Sequence, residues 1–233
     1  MRLDKFLSET GTASRSESRK AARAGGISVN GDPVSDPSFP IDPEHDEVSY
    51  FGRRVHYQKY VYLMMNKPEG VISATDDISE RTVLDLLPDK YRRLGLFPCG
   101  RLDKNTTGLL ILTNNGALAH KLLSPKRHVE KAYRFTCERP LSQADCVQLE
   151  HGVDIGEARP TAPARLSLSG DCAGEITVTE GKFHQIKRMF EAVGNRIITL
   201  ERTAFAGIPL DPTLAYGSFR TLTQEEAEIL EGR

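Results

Sequence analysis

The chain has 233 residues, enough for one large domain and a small one, since domains commonly run to roughly 100–200 residues. Its 31 Lys and Arg against 32 Asp and Glu leave a net charge of -1, which excludes a global electrostatic pull toward nucleic acid or an acidic membrane; polyanion binding needs a local patch. The thiols Cys99, Cys137, Cys146 and Cys172 show no C-x-x-C pair or zinc-ligand spacing, and with no signal-peptide pattern or apolar run of about 18 residues they predict a cytoplasmic protein without structural metal or membrane contact.

The first 30 residues read as two short helices and a strand. Leu3, Phe6 and Leu7 have helical apolar spacing, Gly11 breaks the helix, and Ser14 caps a second one that stops at Gly25-Gly26. In "ISVNGDPV" the Asn30-Gly31 pair between apolar residues is a hairpin signal, because both tolerate positive φ. Pro33, Pro37, Pro40 and Pro43 stud the next stretch, and "EHDEVSYF" adds a further strand. Residues 1–52 are thus expected to form a small domain, residues 53–59 a linker, and residues 60–233 a larger domain. In the latter, strand-like runs at 60–65, 109–112, 132–136, 176–179 and 197–200 alternate with helical ones at 82–87, 118–123, 143–149 and 185–193. The expected class is α+β, with one extended sheet and flanking helices.

Arg15, Arg19 and Arg23 recur at four-residue steps on the second helix, Lys20 sits beside Arg19, and Arg2 and Lys5 come from the segment before. A solvated helix face is the ordinary explanation of such a row; guanidinium groups reaching successive phosphates are the other. The whole of "RLDKFLSETGTASRSESRKAARAGGISVNGDPV" resembles the S4 RNA-binding module, an αα-plus-β domain of ribosome-associated proteins. That resemblance implies a structured-RNA partner but no catalysis.

Several catalytic patterns are missing from the larger domain. The glycines of "GLFPCG" have phosphate-loop spacing, but Arg101-Leu102 stands where Lys and Ser/Thr would follow, and there is no dinucleotide, zincin or nucleophile-elbow motif. His184 has no nucleophile motif beside it. Asp103, in the polar turn of "GRLDKNTTGLLILT", reads locally as a turn former. A glycosidase would need a second carboxylate across the bond, and no spacing places Asp76, Asp77 or Asp85 there.

Four spaced segments change the weight on Asp103: "MMNKPEG", "GRLDKNTTGLL", "EKAYRF" and "EGKFHQIKRMFEAVGN". In this order they resemble the pseudouridine synthases of the RsuA and RluA type from about residue 60 onward, and Lys187, "DKNTTG" and the S4-like module point to the RsuA branch. The resemblance implies a largely antiparallel mixed sheet, a catalytic Asp103, an aromatic Tyr133 stacked on a flipped uridine, and Lys187 as basic partner of the acid. It also implies Leu200 packed beneath the base and Arg101 holding the Asp loop or a phosphate. Arg188, with Lys126, Arg127, Lys131 and Lys182, would follow the RNA backbone. The partner it implies is ribosomal RNA or the assembling small subunit, most directly 16S rRNA, acted on by a monomer. A 23S rRNA target and a non-catalytic assembly protein are the alternatives. Isomerising uridine adds and removes nothing, so no cofactor is expected.

Overall fold

A computed structural model describes residues 1–232, and the chain divides into two compact units: Met1–Val61 with Leu87–Phe97, and Tyr62–Leu86 with the residues from Pro98 onward. In the first unit α1 (Leu3–Glu9) and α2 (Arg15–Arg23) lie over a four-stranded antiparallel sheet of order β2-β1-β3-β4. Its strands are β1 (Ile27–Val29), β2 (Asp32–Pro33), β3 (Val48–Tyr50) and β4 (Arg53–Val55). Ser14 and Glu17 exchange side-chain and backbone hydrogen bonds in a capping box that starts α2 where its sequence places a cap. Asn30 and Gly31 both have positive φ between β1 and β2, as a two-residue hairpin requires. Leu3, Phe6, Leu7, Ala22, Ile27 and Val48 make the core. Arg53–Val55, read from sequence as the start of a linker, pairs with β3; its side chains are largely exposed, so no apolar alternation marks it. A further short helix, α3 (Asp89–Arg92), also belongs to this unit, where Arg93 and Glu17 form an ion pair of 2.9 Å.

The second unit is built on a nine-stranded mixed sheet whose main path runs β13-β5-β7-β11-β8-β10-β9. The ranges are β5 (Tyr62–Lys67), β6 (Phe97–Pro98, its second residue opening this segment), β7 (Thr107–Thr113), β8 (Lys131–Cys137), β9 (Arg165–Gly170), β10 (Ala173–Val178), β11 (Ile197–Phe205), β12 (Ile208–Pro209) and β13 (Phe219–Thr221). Only β7 and β11 run parallel; the other pairs along the path are antiparallel. The α+β class with a largely antiparallel mixed sheet is therefore what the chain adopts. Helices α4 (Gly116–Leu123), α5 (Gln143–His151), α6 (Gln185–Ala192) and α7 (Gln224–Glu231) accompany it.

β5 and β7 are buried almost throughout, the pattern of strands covered on both faces. The amphipathic α6 lays Ile186, Met189 and Phe190 against the sheet, and Phe190 meets Phe135 of β8 edge-on at 4.8 Å between ring centroids. The run at 82–87 forms only a 3-10 turn at Val83–Leu86, too short for an α-helix. Among the described residues no helix is long and apolar enough to cross a membrane.

Candidate active site

Asp103 sits in the loop that enters β7, and that loop is fastened from several sides. The Ser73 hydroxyl accepts the Leu102 N–H at 3.0 Å and donates to the Leu102 carbonyl at 2.9 Å. The Gly70 N–H donates to the Lys104 carbonyl at 2.9 Å, and the Thr106 N–H closes the turn onto the Asp103 carbonyl at 3.0 Å. Beneath it lies Lys67, with no exposed surface, whose ammonium donates to the carbonyls of Pro68 (3.0 Å), Lys104 (3.3 Å) and Thr106 (2.9 Å). Burial pushes that ammonium down to about 8, against the pull of Asp103 and Glu69. Gly108 then lets β7 approach β11: a Cβ there would stand 2.4 Å from the Arg202 carbonyl oxygen.

The first turns of α6 face this loop. Lys187 Nζ donates to Asp103 Oδ2 at 2.7 Å and also to Asn105 Oδ1, and His184 Nε2 lies 3.5 Å from Asp103 Oδ1. His184 takes a left-handed conformation at the helix start and stacks on the exposed Phe183 ring at 3.8 Å. The carboxylate keeps 27% of its side-chain surface open, so it is gripped from one side and available from the other.

That open side belongs to a cavity of about 770 Å³. Asp103, Lys187, Tyr133, Leu200 and Arg101 all line it, so every pocket residue expected from sequence converges there. Tyr133 and Leu200 are nearly buried, and Arg101 is exposed at the wall. Asp76, Asp77 and Asp85 are not among the lining residues, so none of them supplies the second carboxylate of a glycosidase.

The basic residues divide. Arg15, Arg19, Lys20 and Arg23 stand exposed on α2. Arg2 instead clamps the buried Asp4 with two hydrogen bonds of 3.0 and 2.9 Å, and Lys5 pairs with Glu9 at 3.5 Å. Arg188 does not line the cavity: it is held by Glu157 at 2.8 Å and by the carbonyls of Phe183 and Ile155. These contacts tie Arg188, expected from sequence to follow the RNA backbone, to the loop at 155–157. Lys67 and Arg202 went unassigned in the sequence, although a charged residue at the end of a continuous apolar run, as in "YLMMNK", is the signal that marks a buried ion.

Residues 61–192 match the family described as RNA pseudouridylate synthase, and residues 1–48 match the S4 domain. The chain belongs to the RNA pseudouridine synthase family. This synthase is 45% identical to YtzG of Bacillus subtilis, called an uncharacterized RNA pseudouridine synthase, across 99% of this chain and 98% of that protein. It is 40% identical to ribosomal small subunit pseudouridine synthase A of Escherichia coli K12, across 97% and 98%. A crystal structure of a pseudouridylate synthase superposes with a TM-score of 0.70 at 37% identity, covering 99% of each chain. The synthase is thus an RNA uridine isomerase of the RsuA type with an S4 domain at its N-terminus.

Proposed function

We propose that this pseudouridine synthase isomerises a uridine of small-subunit ribosomal RNA, as a monomer in the cytoplasm, with Asp103 as its reacting carboxylate. The name of the Escherichia coli relative supports the RNA target. The reading rests on one observation: Asp103 Oδ2 lies 2.7 Å from Lys187 Nζ at the wall of a cavity flanked by Tyr133 and Leu200. The Lys187 ammonium holds in place the carboxylate that must attack C1′ or take the C2′ proton while the N1–C1′ bond breaks. The released uracil turns in the pocket, C5 joins C1′ as the Asp103–C1′ bond breaks or the C2′ proton is returned, and the C5 proton leaves as N1 gains one.

A base inside folded RNA reaches such an acid only by flipping out, which costs a few kcal/mol and is offset by stacking on an aromatic ring such as Tyr133. Purified enzyme is expected to convert one uridine in unmodified 16S rRNA, located by pseudouridine-specific chemical labelling. Modification confined to 23S rRNA overturns the target, and none in either overturns the site assignment.

The S4 unit supplies affinity in this reading. Changing Arg15, Arg19 and Arg23 together to Gln is expected to weaken RNA binding and flatten the slope of log K against log salt by roughly 2–3, near 0.7–0.9 for each lost phosphate contact. Binding titrations across salt measure it, and an unchanged slope refutes phosphate contact by α2.

A further inference from the structure

Of the cavity's cations that have no part in gripping Asp103, two come from the sheet itself. Lys131 and Arg202 both line the cavity, on the neighbouring strands β8 and β11. Arg202 is opposite Tyr133 in the register, and Lys131 is two residues from Tyr133, on the same face. Arg202 is 1% exposed: its Nε donates to the Leu109 carbonyl at 2.7 Å, its guanidinium lies 5.0 Å from the Phe205 ring centroid, and its Nη2 is buried with no partner. Lys131 Nζ donates to the Val129 carbonyl at 2.8 Å. Burial, then Arg202, push the Lys131 ammonium down to about 8, while Cys99 and Glu180 act in the opposite direction.

Neither neighbour is ion-paired with Lys131 or Arg202; the cation within 4 Å of Glu180 is Lys182, at 3.9 Å. Burial raises the Cys99 thiol to about 11, so it is uncharged at neutral pH. Glu180 Oε1 accepts from the Ala162 N–H at 2.9 Å and from Gln185 Nε2 at 3.0 Å. Two largely desolvated cations with an unsatisfied donor are unfavourable unless an anion joins them.

Resting on the reading of Asp103 as the reacting acid, we propose that Lys131 and Arg202 stabilise the uracil ring as an anion when its glycosidic bond breaks. The sheet sets the direction. Thr107, just after the Asp103 loop, pairs with Glu201, whereas Arg202 pairs with Gly108, one step farther from the acid. In the proposed pose, a nucleotide whose C1′ faces Asp103 and whose ring lies on Tyr133 and Leu200 turns its far edge, with the carbonyl oxygens, toward the two cations. Its phosphates lie on the ribose side.

The charge balances. The N1–C1′ bond breaks with its electron pair left on uracil, while the Asp103 carboxylate either bonds C1′ or takes the proton from C2′. One negative charge thus moves from the acid beside Lys187 to the base beside Lys131 and Arg202. Fixed cations placed where charge develops favour the transition state over the bound substrate.

The test is single-turnover and steady-state kinetics of Lys131→Met, Lys131→Gln and Lys131→Arg on the RNA that the wild-type chain modifies, so it does not depend on which subunit that RNA comes from. The target position carries either uridine or 5-fluorouridine, whose fluorine withdraws electrons and makes the base a better leaving anion. Lys131→Met and Lys131→Gln are expected to slow bond cleavage on the order of 100-fold with uridine at nearly constant KM, and clearly less with 5-fluorouridine. Lys131→Arg should recover most of the rate. Equal losses on the two substrates, no loss, or a change confined to KM and its salt dependence overturns the proposal, the last marking a phosphate contact instead. Full activity of Asp103→Asn in the same assay would fault the site assignment rather than this inference.

Discussion

Replacing Asp103 with Asn is expected to lower kcat on the order of 10⁴-fold while RNA affinity stays within about threefold of wild type. The change is nearly isosteric and leaves the loop intact, because the Ser73 clamp on Leu102, the Thr106 N–H to Asp103 carbonyl bond and the Lys67 contacts all use backbone atoms of the loop. Lys187 keeps Asn105 Oδ1 as an acceptor. What disappears is the negative charge beside the sugar. A neutral amide neither attacks C1′ nor removes a C2′ proton, so the loss falls on the chemical step. Pseudouridine release under single-turnover conditions and RNA binding by filter retention read the two quantities separately; turnover near wild type removes Asp103 from the reaction.

Lys67→Met carries the second large effect, on activity and on stability. It deletes the ammonium that holds the Lys104 and Thr106 carbonyls under the acid, and the freed loop is expected to lower kcat by 10²-fold or so through misplacement of Asp103. The stability effect has a signed pH dependence. Lys67 titrates near 8 in the folded chain and near 10.5 in the unfolded one, so between those values the unfolded chain binds more protons. Wild-type stability therefore gains from this group as pH rises through that window, and the variant, having no such group, gains nothing. The deficit of Lys67→Met relative to wild type should widen between pH 7 and pH 10, by up to about 3 kcal/mol. Urea melts at the two pH values measure it; an equal deficit at both contradicts a buried, depressed ammonium.

Elements carrying strong periodicity or special turn residues were legible in the sequence. Ser14 marks α2, Asn30-Gly31 marks the hairpin, and the apolar runs of β5 and β7 mark two interior strands of the sheet. β9 was not: it is an edge strand with most side chains in water, so its pattern is polar, and only pairing with β10 defines it. Among site residues, Asp103, Tyr133 and Lys187 emerged from motifs spread over 84 positions, not from local chemistry. Lys67, Arg202 and His184 did not emerge. A lysine or arginine reads as surface until tertiary packing buries it, and the nearness of His184 to Asp103 depends on a left-handed residue at the start of α6 that no spacing rule reveals.

The strand order has a consequence for how the enzyme comes into being during synthesis. β5 and the loop that enters β7, made early, carry the lysine and the acid, but β7 meets β11 only late, and β5 gains its outer neighbour only when β13 is made. Pairings across such long sequence separations form slowly and late. Tyr133, Lys187 and Leu200 follow Asp103 in the chain, so a nascent polypeptide has no complete pocket until β11 has emerged. The complete pocket thus requires β11, and a chain that stops before it has the acid but not the pocket.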